Sequence, residues 1–187
     1  IQIFWQLPAG VRLYQTFAVS GEEIEWDIEF FNRSRHAVNI LDMCLTVPIG
    51  AIDESVQACQ NLNRHFSLNG NSSFLYWIPY TGQGDILLMS MKKGTAMEYA
   101  TWDGKYYLHA TNVVDRANDT WRIPSTSKTV APYQRYLTGF NFTVAKDHTD
   151  LRGKLYDKGN VLVKVAPGMV VTPEMEVYCA LQTQLSS

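Results

Sequence analysis

The stretch from Glu22 to Phe31, EEIEWDIEFF, decides the fold of this chain of 187 residues. Apolar and acidic side chains alternate along it, so that one face is apolar and the other carries four carboxylates. Alternation with a period of two and one polar face is typical of a half-buried antiparallel strand. Arg12–Val19 alternates in the same way before a Ser20-Gly21 turn, and Ala37–Val47 follows an Asn-Arg-Ser turn. The three runs together predict a meander.

Strand patterns continue through much of the remaining sequence. Apolar and aromatic runs bounded by Gly, Pro or Asn predict further strands at Phe74–Ile78, Asp85–Met91, Ala96–Ala100, Lys105–Ala110, Tyr136–Val144, Asn160–Val165 and Glu174–Thr183. Residues 51–62 fit either a short helix or a loop. Residues 112–132 are rich in Asn, Asp, Ser and Thr and predict a long irregular segment.

One helix is predicted near residues 150–158. Asp150 is expected to cap it, Leu151, Leu155 and Tyr156 to share one face, and Gly159 to end it. About ten strands and one short helix place the chain in the mainly β class. The predicted architecture is an antiparallel two-sheet β-sandwich, supersandwich-like, in a single domain spanning residues 1–187.

Charge and hydropathy exclude several classes of partner. Sixteen basic and 18 acidic residues give a net charge of −2, which predicts no broad basic surface for nucleic acid. No apolar run reaches the roughly 18 residues of a membrane span, so no membrane partner is predicted. The chain begins within an alternating pattern, with neither an initiator Met nor the features of a signal peptide. We therefore predict a fragment of a longer protein.

Three cysteines leave two alternatives open, since one disulfide with a free thiol and three buried thiols both fit Cys44, Cys59 and Cys179. Their spacing does not match a zinc site, and no phosphate-binding or dinucleotide motif is present, so neither a metal nor a cofactor is predicted.

The sequence predicts no catalytic residue for this chain. The four acids on one strand face are interpreted as a solvated surface, and they are Glu23, Glu25, Asp27 and Glu29. Nothing in the sequence fixes the separation of the better candidates Glu98, Asp103 and Asp115. No nucleophile motif accompanies the four histidines, which are His36, His65, His109 and His148.

A cluster of aromatic residues in the middle third of the chain is more informative. Trp and Tyr offer apolar faces that stack on sugar rings, together with a polar group. The candidates for carbohydrate binding are Trp77, Tyr80, Trp102, Tyr106 and Trp121. The same side chains also suit packing in a β-sandwich core, which is the alternative interpretation.

The order of these features resembles a bacterial family that carries an N-terminal β-sandwich ahead of an (α/α) barrel of the glycoside-hydrolase type. The segments that carry the resemblance are the meander of Val11–Val47, the stretch Trp121–Ser127 with Ala131-Pro132, the helix at Leu151–Lys158 and the closing run Val163–Val171, which contains PGMVV. Catalytic acids in such enzymes belong to the barrel, so no catalytic residue is carried over.

The resemblance implies a non-catalytic accessory module of a carbohydrate-active protein, secreted or periplasmic, whose partner is an adjacent catalytic domain in the same polypeptide. A second hypothesis is an independent carbohydrate-binding module, whose partner would be an oligosaccharide. A third is a small stand-alone enzyme acting on glycans, which would need two carboxylates converging in a cleft, about 5 to 10 Å apart.

Overall fold

The computed structural model describes residues 1–47, 62–67, 70–79, 81–100, 105–111, 126–168, 170 and 172–184, with only the backbone of residues 62–66. The strands are β1 (Gln2–Gln6), β2 (Val11–Ser20), β3 (Glu23–Asn32), β4 (Val38–Ile40), β5 (Met43–Thr46), β6 (Leu62–Ser67), β7 (Phe74–Pro79), β8 (Ile86–Met91), β9 (Tyr99–Ala100), β10 (Lys105–His109), β11 (Lys128–Val130), β12 (Arg135–Ala145), β13 (Leu162–Ala166) and β14 (Tyr178–Gln182). The helix α1 spans His148–Asp157.

A large antiparallel sheet organises the described part of the chain. Its seven strands lie in the order β1-β2-β3-β12-β8-β7-β6, and a second sheet has the order β5-β10-β9. Two smaller pairs, β4 with β11 and β13 with β14, complete the described strands. The predicted mainly β, sandwich-like architecture with one short helix is confirmed.

The main core lies between the large sheet and the three-stranded sheet. Ile28 and Phe30 on β3 and Trp77 on β7 point inward from the large sheet and join Tyr106 and Leu108 of β10 in one buried cluster. We call this side of the large sheet its inner face. The alternation seen in Glu22–Phe31 therefore sends the apolar side chains inward and the carboxylates to the opposite, outer face.

Helix α1 covers one end of the outer face. Leu151 and Leu155 are buried against Ile86 and Leu88 of β8 in a second core cluster. The predicted helix is confirmed, and Gly159 follows it with a positive φ of 86°. The predicted cap is wrong.

Asp147 caps the helix, because its carboxylate accepts hydrogen bonds from the backbone N–H groups of Thr149 and Asp150, both at 2.8 Å. Asp150 lies in the first turn and accepts from the Lys146 backbone N–H at 2.9 Å. Asp147 thus satisfies two N–H groups of the first turn, which have no partner within the helix, and Asp150 ties the turn to the residue before the cap.

The predicted meander is only partly correct. β2 and β3 pair along ten residues, but the second neighbour of β3 is β12 rather than the run Ala37–Val47. That run breaks at Leu41-Asp42 into β4 and β5, which pair with β11 and β10. The Asp42 carboxylate accepts from the backbone N–H of Thr111 at 2.8 Å, which ties this break to the end of β10. Strands β1, β6 and β11 were not predicted, and β11 lies within residues 112–132, which were predicted to be irregular.

The cysteine question is partly answered. Cys44 and Cys179 are exposed free thiols, so the alternative of buried thiols does not apply to these two, while Cys59 lies outside the described residues. Within the described part of the chain, α1 and every other helical segment are too short or too polar to cross a bilayer.

Candidate functional site

Two of the five aromatic residues predicted to bind carbohydrate lie in the described part of the chain, and both are buried. Trp77 and Tyr106 have no exposed surface, because both fill the core between the two sheets. Neither ring can stack on a sugar from that position, and the alternative of core packing describes both. Tyr80, Trp102 and Trp121 lie outside the described residues, so for them carbohydrate binding stays a prediction.

Three cations from other elements form ion pairs with the four carboxylates on the outer face of β3. We call this row of Glu23, Glu25, Asp27 and Glu29 the acid stripe. Its ion pairs are Lys92 with Glu25 and Asp27, both at 2.7 Å, Lys158 with Glu23 at 2.7 Å, and Arg135 with Glu29. The hydrogen bond and charge of Lys92 hold the pKa of Glu25 below its usual value. The stripe is therefore an ion-pair network, more ordered than the solvated strand face that the sequence suggested.

Gly139 makes the central ion pairs of the acid stripe possible. It lies opposite Asp27 in the register of β12 with β3, and the side chain of Lys92 passes over it. A Cβ atom at Gly139 would lie 2.7 Å from the carbonyl oxygen of Trp26, 2.8 Å from Asp27 Oδ1 and 3.0 Å from Lys92 Cδ. Backbone atoms cannot yield that much space, so only glycine fits.

A polar groove of about 400 Å³ runs beside the acid stripe on the outer face. Its lining includes Gln2, Tyr14, Thr16, Asp27, Glu29 and Arg135. Asp27 and Glu29 both contribute carboxylates, which is the feature that a glycan-cleaving enzyme requires. Each of the two forms an ion pair, Asp27 with Lys92 and Glu29 with Arg135.

The other predicted acids and histidines do not assemble a catalytic centre in the described residues. Asp103 and Asp115 lie outside them, as does the side chain of His65, while His36 is exposed in the turn after β3. No group of three or more described His, Cys, Asp or Glu side chains is arranged to hold a metal ion.

His109 forms a polar link between the two sheets. Its Nδ1 lies 2.6 Å from the carbonyl oxygen of Thr126, and because a carbonyl only accepts, Nδ1 carries the hydrogen. Its Nε2 then accepts from the hydroxyl of Tyr136 on β12 at 2.7 Å. Burial lowers the pKa of His109 and raises the pKa of Tyr136. Both rings are thus held neutral in one oriented pair.

The three-stranded sheet leaves one end of the inner face uncovered. At this end Ile3, Trp5, Val19 and Ile24 are 39%, 51%, 80% and 49% exposed, and we call these four residues the edge strip. Phe17 and Trp26 stack beside it with their ring centroids 5.4 Å apart.

A cleft of about 490 Å³ continues the apolar surface of the edge strip. It runs between the large sheet, including Leu13 and Trp26, and the outermost strand β5 of the smaller sheet, including Met43. The edge strip is thus the exposed part of a larger apolar surface.

A pocket of about 540 Å³ lies between α1 and the outer face of β7, and we call it the helix pocket. Phe74 and Tyr76 contribute two nearly parallel rings, with centroids 6.3 Å apart and planes 21° apart. The sequence analysis missed this site. Its signal is the spacing of two aromatic residues at i and i+2 in a predicted strand, which places both on one face.

Comparison with known proteins finds a similar fold but no family. No protein-family model matches the sequence, and no curated protein is significantly similar to it. A solved structure named "Polysaccharide Lyase BACCELL_00875" matches 88% of this chain with a TM-score of 0.67 and 14% sequence identity. The match spans 24% of the length of that protein. The likeness shows that the two share a fold. The glycoside-hydrolase-like family of the sequence analysis is not shown.

Proposed function

We propose that this chain is a non-catalytic accessory β-sandwich module of a carbohydrate-active protein and that it packs against a neighbouring domain of the same polypeptide. The edge strip is the observation that carries the proposal. Four apolar side chains lie exposed on the inner face of β1, β2 and β3, with Phe17 and Trp26 between them. Contiguous apolar surface of this kind is typical of protein interfaces.

Two observations favour a domain of the same polypeptide as the occupant of the edge strip. The similar polysaccharide lyase contains this fold as about a quarter of its chain, so in that protein the sandwich accompanies further structure. The carbohydrate connection also comes from that protein. In addition, β1 is a five-residue edge strand whose inward-facing Ile3 and Trp5 are exposed.

The state of the carboxylates supports a non-catalytic role. All four carboxylates of the acid stripe form ion pairs, with Lys92, Lys158 and Arg135, as expected of groups that stabilise the outer face. The secreted or periplasmic location and the bacterial source rest on the resemblance and stay predictions.

Hydroxyl-radical footprinting tests the proposal. The chain alone and the complete product of its reading frame are labelled under identical conditions. We expect the labelling of Trp5 and Ile24 to fall several-fold in the complete protein, because a second domain shields the edge strip. Leu137 is the matched control, since it is 57% exposed on the opposite face of the large sheet.

An Ile24→Lys variant sharpens the experiment. A lysine at the interface would open the contact, so labelling of Trp5 in the complete protein should return to the level of the isolated chain. Unchanged labelling of Trp5 and Ile24 between the two wild-type forms, or a reading frame that encodes no further domain, would refute the accessory role.

A further inference from the structure

The helix pocket has the chemistry of a sugar site, and it lies on the face opposite the edge strip. Register places Phe74 and Tyr76 on the outer face, because their neighbour Leu75 pairs with Met89 and both belong to the core of the inner face. A ligand in the helix pocket would therefore not compete with a domain docked on the edge strip. This inference goes beyond the proposed function and does not depend on it.

The floor of the helix pocket is an aromatic platform. The rings of Phe74 and Tyr76 are both partly exposed and lie within 21° of parallel. His148 stands almost perpendicular to Tyr76, with an interplanar angle of 86° and centroids 6.0 Å apart, and so forms a side wall. A flat apolar floor with an upright polar wall suits the C–H face of one sugar ring and its hydroxyl edge.

Polar groups converge on the rim of the helix pocket. Asn160 is 9% exposed, and no other described residue forms a hydrogen bond with its side-chain amide. Ser67 and Ser72 add hydroxyl groups to the rim. An apolar pocket with a few oriented polar groups is the usual form of a small-ligand site, and this volume lies within the usual range of about 300–1,000 Å³.

Charge selects the class of sugar. None of the described residues that line the helix pocket is acidic. Two basic residues, Arg152 and His148, do line it. The guanidinium of Arg152 is exposed, and its hydrogen bond to the carbonyl oxygen of Val163 is long, at 3.5 Å. It therefore remains available for a shorter, charge-assisted bond to an anion.

We propose that the helix pocket binds an anionic sugar unit of an oligosaccharide. The sugar ring lies on Phe74 and Tyr76, the side-chain amide of Asn160 bonds to its hydroxyls, and its carboxylate or sulfate group meets Arg152. Carboxylated and sulfated sugars share this chemistry, and the experiment distinguishes them.

Calorimetric titration of the protein with three tetrasaccharides tests the proposal. The ligands are one that contains glucuronate, its carboxyl-reduced neutral counterpart, and a sulfated form of the neutral one. We expect at least one anionic ligand to bind more tightly than the neutral ligand. Arg152→Gln should weaken the anionic complex about tenfold, because it removes a charge-assisted hydrogen bond. Arg35→Gln is the matched control, an exposed arginine in the turn after β3 that should leave affinity unchanged.

The aromatic platform is tested separately. Tyr76→Leu should weaken binding of every ligand. If the Tyr76→Leu variant proves unstable to heating, Phe74→Leu replaces it in the experiment. Binding of only one anionic ligand identifies the anion and supports the proposal. Failure of both anionic ligands to bind would overturn it. So would an affinity that survives Arg152→Gln and both aromatic variants, since the sugar would then bind elsewhere.

Discussion

His109 is a half-buried histidine whose two ring nitrogens both have partners. Because burial favours its neutral form, the pKa of His109 lies below the usual 6.5 in the folded state and returns to it on unfolding. Below about pH 6.5 the unfolded chain therefore takes up a proton that the folded chain does not. The contribution of His109 to stability is therefore complete above this pH. It decreases as the pH falls, until the lowered pKa of the folded state is reached.

We expect the urea midpoint of unfolding to decrease between pH 7.5 and 5.5 and expect His109→Gln to remove part of this decrease. Urea titrations followed by tryptophan fluorescence measure both. His36→Gln is the control, because His36 is exposed and its side chain makes no hydrogen bond to another described residue. The lowered pKa of Glu25 acts only below its usual value of 4.5 and so leaves this window undisturbed. An equal decrease in the wild type and in His109→Gln would contradict the account.

At the scale of elements, the contact between β3 and β12 depends on the absence of a side chain at Gly139. We expect Gly139→Ala to lower the free energy of unfolding by about 1–3 kcal/mol, as overpacking does, because the added methyl meets the carbonyl oxygen of Trp26 and displaces Lys92. Thermal and urea unfolding measure the loss.

Gly153 is the matched control for Gly139. It lies inside α1, and nothing is within 4 Å of a Cβ placed there. Gly153→Ala should therefore raise stability by about 0.5–1 kcal/mol through helix propensity. Similar effects of the two substitutions would show that steric contact does not exclude a side chain at position 139.

The sequence predicted those elements that carry their own local signal. β3 could be predicted because its two faces meet different surroundings and its sequence alternates accordingly. α1 could be predicted because Leu151 and Leu155 have helical spacing and Gly159 follows the helix. The partner of β3 was not visible, because β12 joins it across about a hundred residues and nothing local encodes that pairing. The cap was misplaced because Asp147 and Asp150 both suit the start of a helix.

The burial of Trp77 in the core could not be predicted, for a related reason. β7 reads Phe-Leu-Tyr-Trp-Ile-Pro and is apolar on both faces, because the inner face meets the second sheet and the outer face meets α1. A strand buried on both sides shows no alternation. The sequence therefore does not show that Trp77 lies in the core and that Tyr76 lines a pocket.

At the scale of the whole molecule, the large sheet separates two surfaces. The edge strip lies on its inner face at the β1 end, and the helix pocket lies on its outer face at the β7 end. The edge strip lies on β1, β2 and β3, and in the sheet order β12 and β8 separate these strands from the pocket strand β7. Docking of a domain and binding of a sugar should therefore be energetically independent, since effects of separated sites add.

We accordingly expect the anionic tetrasaccharide to bind the isolated chain, the complete protein and the Ile24→Lys variant with the same affinity, within about twofold. In the reverse direction, Arg152→Gln should leave the footprint of Trp5 in the complete protein unchanged. Calorimetry and footprinting on the same samples measure both. A glycan that binds tightly only to the complete protein would place its site at the boundary between domains, and the edge strip would then be one wall of that site.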